Sequence, residues 1–152
     1  MTANSTAVLA DLLGRKHDCL VLLDGLGLRK QELIDVGAVG AGLFGILAET
    51  QQLIEQLQQL ERDLDPYRGD DPARRVWSSE AERLRCSGLT ERSARLLAEV
   101  LERDARCEEI LRRRSDETAA QLAMVNSGIV ARGAYAANSG HFASSFDVIS
   151  DS

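Results

Sequence analysis

At 152 residues the chain has the length of one ordinary domain, and its six aromatic residues are too few for the core of a β-sandwich or barrel. Twenty-two Leu against fifteen Val plus Ile, with prolines only at 66 and 72, is instead the composition of long helices. A net charge of −6, with sixteen Arg interleaved among twenty-four acids, argues against a nucleic-acid partner.

The first predicted element is a helix from about residue 5, where Asn4 and Ser5 are competent N-caps and Leu9, Leu12, Leu13, Leu20, Leu23 and Leu26 form its apolar stripe. Gly25 and Gly27 predict either a curve or a kink, because an interior Gly costs about 1 kcal/mol relative to Ala. No basic residue precedes Arg15, so the start lacks the charged opening of a secretory signal. The longest uncharged run, Val36 to Ala48, has 13 residues. A membrane span needs roughly twenty. The expectation is a cytoplasmic protein with no membrane insertion.

Within that run, Gly40-Ala41-Gly42-Leu43-Phe44-Gly45 matches the G-x-G-x-x-G pattern of dinucleotide sites. The pattern binds a pyrophosphate only where a strand feeds a tight turn and a helix N-terminus. No second parallel strand is predicted. The preferred reading is a small-residue stripe, Gly37, Ala41, Gly45 and Ala48, approached closely by another helix. From Leu43 a heptad seam follows through Ile46, Thr50, Leu53, Leu57, Leu60 and Leu64, with Glu49, Gln51, Gln52, Glu55, Gln58, Glu61 and Arg62 outside it. The first arm therefore spans 5–65.

Residues 66–72, between the two prolines, concentrate turn formers and predict a reversal. Ser79-Glu80-Ala81-Glu82 has the form of a capping box and starts a short helix that buries Trp77, Ala81 and Leu84 and ends at Gly88. Thr90 then caps a second long helix with Leu96, Leu97, Val100, Leu101, Cys107, Ile110 and Leu111 as its buried stripe, resuming at Leu122, Val125 and Ile129. This second arm covers 73–133. The expected fold is all-α, a long antiparallel, coiled-coil-like helical hairpin forming a single domain, with a short extra helix and a flexible C-terminal tail over 134–152. Phe142, Phe146 and Ile149, at i, i+4 and i+7, give that tail a sticky face on contact.

The chemistry-bearing residues do not assemble into a catalytic set. His17 and His141 lie far apart, no nucleophile and base are paired, and Cys19, Cys86 and Cys107 are odd in number and widely spaced. Arg112-Arg113-Arg114, with Arg103 and Arg106, is interleaved with acids and predicts intrahelical pairing on a solvated face. No enzyme, cofactor or metal is expected.

In the order of these features the chain resembles the FlgN family of flagellar type III export chaperones, from Leu12 nearly to the C-terminus. The resemblance rests on the leucine-rich first helix, Arg29-Lys30-Gln31-Glu32-Leu33-Ile34, the segment Gln52-Leu53-Ile54-Glu55-Gln56-Leu57-Gln58-Gln59-Leu60-Glu61-Arg62, the polar break, the second long helix, and Tyr135 and Gly140 in a low-charge tail. It implies a non-enzymatic chaperone for hook–filament junction proteins, FlgK-like and FlgL-like, that delivers them to the flagellar export apparatus. The expected partner-binding residues are Leu122, Val125, Ile129, Tyr135, Phe142, Phe146 and Ile149. The alternatives are a coiled-coil scaffold that self-associates, with a weak homodimer as the milder form, and a nucleotide-binding enzyme using Gly40 to Gly45.

Overall fold

The structure is a computed structural model that describes residues 3–38 and 40–139. The described residues form helix α1 (Ala3–Asp35), helix α2 (Ala41–Arg68), a 3-10 turn (Pro72–Arg74) and helix α3 (Glu80–Ser139), with no strand among them. The all-α class is therefore as expected. The chain divides into two compact units, Met1–Glu108 and Glu109–Ser152, and α3 contributes to both.

The first unit is a three-helix bundle built by two reversals. Lys16 pairs with Glu61 at 2.7 Å, the Cys19 thiol donates to the Leu53 carbonyl at 3.3 Å, and Arg29 pairs with Glu49 at 3.7 Å. Numbers that rise on α1 fall on α2, so the two are antiparallel. Between α1 and α3 they rise together: the Thr6 hydroxyl donates to the Val76 carbonyl at 3.0 Å just before α3, Arg103 pairs with Asp24 at 2.6 Å, and Lys30 with Asp104 at 2.9 Å. Helix α3 thus runs parallel to α1 and antiparallel to α2, and the hairpin expected about residues 66–72 lies between α2 and α3.

The additional reversal, between α1 and α2, corrects the expectation of a first arm running through 5–65. Its cause is Gly37, whose φ of 72° is a left-handed conformation that side chains rarely adopt. The Gly37 amide donates to the Ile34 carbonyl at 3.1 Å and the Ala38 amide to the Leu33 carbonyl at 2.9 Å. Those two bonds define a Schellman cap, which satisfies the last carbonyls of α1 and turns the chain out of the helix. Gly25 and Gly27 do not interrupt α1. Leu23 and Leu26 are buried beside them, and this packing outweighs the glycine cost. At Gly27 the missing side chain admits Arg103, whose Nη1 would lie 3.4 Å from an added Cβ.

The seam of α2 packs inward as the heptads require. Ile46, Leu60 and Leu64 are buried and Leu43, Thr50, Leu53 and Leu57 half-buried, while Glu49, Gln51, Gln52, Glu55, Gln58 and Arg62 are exposed. Leu9, Leu12, Cys19, Leu20, Leu23, Leu60, Leu64 and Val100 form the core, with Tyr67, Trp77 and Leu96 packed against it. Pro66 lies within the last turns of α2, which ends at Arg68, so the break starts a few residues later than the proline.

Ser79 does cap α3: its hydroxyl accepts from the Glu82 amide at 3.1 Å, and the Glu82 carboxylate accepts from the Ser78 hydroxyl at 2.6 Å. The helix then runs through Gly88 rather than ending there, because Cys86 and Leu89 on either side are buried. Thr90 does not cap a new helix; its hydroxyl donates back to the Cys86 carbonyl at 2.9 Å. Leu84 and Ala81, expected inside, are exposed, and Trp77 is half-buried. Residues 134–139, expected in the tail, belong to α3.

Candidate functional site

The second unit differs from the first in its side chains. Residues 109–139 are helical, and among the described residues of this unit none is buried. Its N-terminal turns are polar: Glu109 accepts from Arg113 at 3.2 Å and also pairs with Arg112, and the Thr118 hydroxyl donates to the Arg114 carbonyl at 2.9 Å. This is the intrahelical pairing expected for Arg112 and Arg113. Arg103 departs from that reading, because its side chain is only 12% exposed and reaches Asp24 on α1.

From Thr118 to Tyr135 the only charge is Arg132. In that interval Leu122 (59%), Met124 (75%), Val125 (58%), Val130 (70%) and Tyr135 (69%) are more than half exposed, and Ile129 is exposed as well. At about 3.6 residues per turn, Leu122, Val125 and Ile129 share one face. Tyr135 does not join them. It follows Met124 by three turns and lies with it on the other side of the helix, so the structure brings three of the expected site residues together and sets the fourth apart. Phe142, Phe146 and Ile149 lie outside the described residues. Met124 and Val130 were missed by the sequence reading because they fall off its single stripe; the signal that marks them is the absence of charge, not periodicity.

The face of Leu122, Val125 and Ile129, without acids, offers non-directional apolar contact to a helix with the matching stripe. It supplies no nucleophile, base or metal ligand. Among the described residues no three His, Cys, Asp or Glu side chains group as metal ligands, and His141 lies outside them. The Nδ1 of His17 lies 3.9 Å from the Asp18 carboxylate.

The glycine motif opens α2, with Gly40 as N-cap, but what precedes it is helix α1 and not a strand. The close-approach reading of the same residues is overturned. Gly37 belongs to the turn, Ala41, Gly45 and Ala48 are exposed, and an added Cβ at Gly45 would meet nothing within 4 Å.

All three cysteines are buried and reduced. Burial pushes the Cys19 and Cys86 thiols above the ordinary thiol range; at Cys86 the Glu82 carboxylate adds to the rise, while Arg85 and Arg75 act against it. Lys16 is moved the other way, below the usual lysine value, first by burial and then by the Arg68 charge.

Comparison with protein-family models, with curated proteins and with solved structures finds no match for this chain.

Proposed function

We propose that this chain is a cytoplasmic export chaperone of the kind its resemblance to the FlgN family implies, holding an aggregation-prone helix of a flagellar hook–filament junction protein before secretion. The observation that carries the reading is the second unit's row of exposed apolar residues, Leu122, Val125 and Ile129, in a stretch almost free of charge. Exposed apolar area of this kind marks interaction surfaces, and an amphipathic client helix is its natural complement. Among the described residues no helix is long and apolar enough to cross a membrane, which is compatible with a soluble carrier.

Calorimetry of the full chain with an FlgK-like or FlgL-like junction protein tests the proposal. Binding is expected, and deletion of residues 134–152 should weaken it by more than about tenfold, or roughly 1.4 kcal/mol. No binding to either junction protein rejects the chaperone reading. The same apolar face also favours self-association through α3. Sedimentation over a concentration series separates the two: a dimer that dissociates only on unfolding supports the scaffold, whereas a monomer or weak dimer supports the carrier.

A further inference from the structure

Where α1, the 3-10 turn and the start of α3 meet, the first unit contains a pocket of about 450 Å³. Leu13, Pro72, Trp77 and Ala94 give it apolar walls, and Arg75, Arg83 and Glu91 bring the charges. Two of these charges are already compensated. Arg83 donates to Glu80 through Nε at 3.0 Å, and Glu91 pairs with Arg95. Among the described residues Arg75 has no carboxylate partner: its Nη2 donates to the Tyr67 backbone carbonyl at 2.9 Å, and its buried Nε has no acceptor.

A buried N–H without an acceptor carries the cost of its lost water, and native structures leave few such groups. The Arg75 Nε has almost no surface open to the pocket, so what the pocket meets is the uncompensated charge of the guanidinium, in a cavity of the size small-molecule sites have. A carboxylate matches a guanidinium in charge, in planarity and in its two acceptor oxygens. An inorganic anion would meet the charge but leave the Leu13, Pro72 and Trp77 walls without a contact. A neutral apolar ligand would do the reverse.

We propose that this pocket binds a small organic acid, its carboxylate held by Arg75 and its aromatic or branched aliphatic body packed against Trp77 and Leu13. The site lies wholly within the first unit and is independent of the client surface on α3. Trp77 is the single tryptophan of the chain, so the emission comes from a residue of the pocket wall.

The test is titration of the full chain with 3-phenylpropionate and, separately, with its neutral amide, followed by Trp77 emission. The acid is expected to give a saturable change at millimolar concentration or below and to bind about tenfold more tightly than the amide, as expected when a charge-assisted hydrogen bond separates them. Arg75→Gln should remove that preference while leaving amide binding in place. Ala94→Leu changes an exposed wall residue, leaves Arg75 untouched, and should weaken both ligands by filling the space. If Arg75→Gln fails to fold, the acid-to-amide ratio of the unaltered chain and the Ala94→Leu result decide. No saturable change, equal affinity for acid and amide, a folded Arg75→Gln protein that still prefers the acid, or unchanged binding by Ala94→Leu would each overturn the proposal.

Discussion

Leu20 and Leu122 are the same residue on the same kind of amphipathic helix, yet the first is 0% exposed and the second 59%. In the first unit α1 meets its apolar complement in α2 and α3 and closes a core around Leu20 and Leu23. In the second unit the same leucine-and-valine periodicity finds no burial among the described residues. The pattern therefore specifies which side of a helix is apolar but not whether the chain itself covers that side. On the proposed reading a covered stripe stabilises the fold and an uncovered one recruits a client.

Substitutions sharpen that contrast. Leu20→Ala should lower the stability of the chain by about 3 kcal/mol, since a fully buried leucine leaves both lost transfer energy and a cavity; urea denaturation measures it, and a change below about 1 kcal/mol would mean that the core is not where the bundle places it. Asp24→Ala removes the carboxylate from the nearly buried Arg103 and should cost about 2 kcal/mol. A double-mutant cycle with Arg103→Ala should return a coupling of similar sign; additive effects would show that the pair does not set the register of α1 against α3. Leu122→Ser combined with Val125→Ser should weaken client binding by more than about tenfold, some 1.4 kcal/mol, while leaving stability within about 0.5 kcal/mol. If the double variant melts instead, these residues belong to a core and the contrast fails.

The smallest expected effect is alkaline. Cys19 and Cys86 hold their protons more tightly folded than unfolded, so from about pH 9 upward the unfolded chain binds fewer protons and stability falls as pH rises. Lys16, with its folded pKa lowered, works in the opposite sense: below the usual lysine value the unfolded chain holds the extra proton, and stability rises with pH through that window. The thiols and the amine therefore act in opposite senses on the alkaline side. Stability of a Cys19→Ala, Cys86→Ala variant, measured between about pH 8 and 10, should lose that decline or reverse it; an unchanged slope assigns the alkaline loss to other groups.

Local signals were legible in the sequence and distant ones were not. The seam from Leu43 to Leu64 and the Ser79 cap are written in spacings of three and four residues, and both are found as read. The turn at Gly37 was hidden because a run of glycines supports two opposite readings, a helix surface without side chains or the end of a helix; the left-handed φ decides for the second. Arg103 read as solvated because its partner Asp24 lies 79 residues away, beyond any local pattern. Arg75 gave no signal either, since nothing in Ala73-Arg74-Arg75 distinguishes a pocket guanidinium from its exposed neighbour. Of the candidate client face, the periodic members were legible, whereas Met124 and Val130 are marked only by their surroundings.

The parallel placement of α1 and α3 sets an order of assembly. The α1–α2 hairpin needs only the first 68 residues and closes through a turn of a few residues, so its contacts cost little chain entropy. The ion pairs from Asp24 and Lys30 to Arg103 and Asp104 must wait until about 35 further residues have been made. At the usual pace of synthesis that is a delay of several seconds. During it the nascent hairpin presents the face of α1 that α3 will later cover, an apolar strip with two unpaired charges. Pulse-labelled hydrogen exchange during refolding should find α1 and α2 amides protected before those of α3; simultaneous protection would show that the three helices condense together.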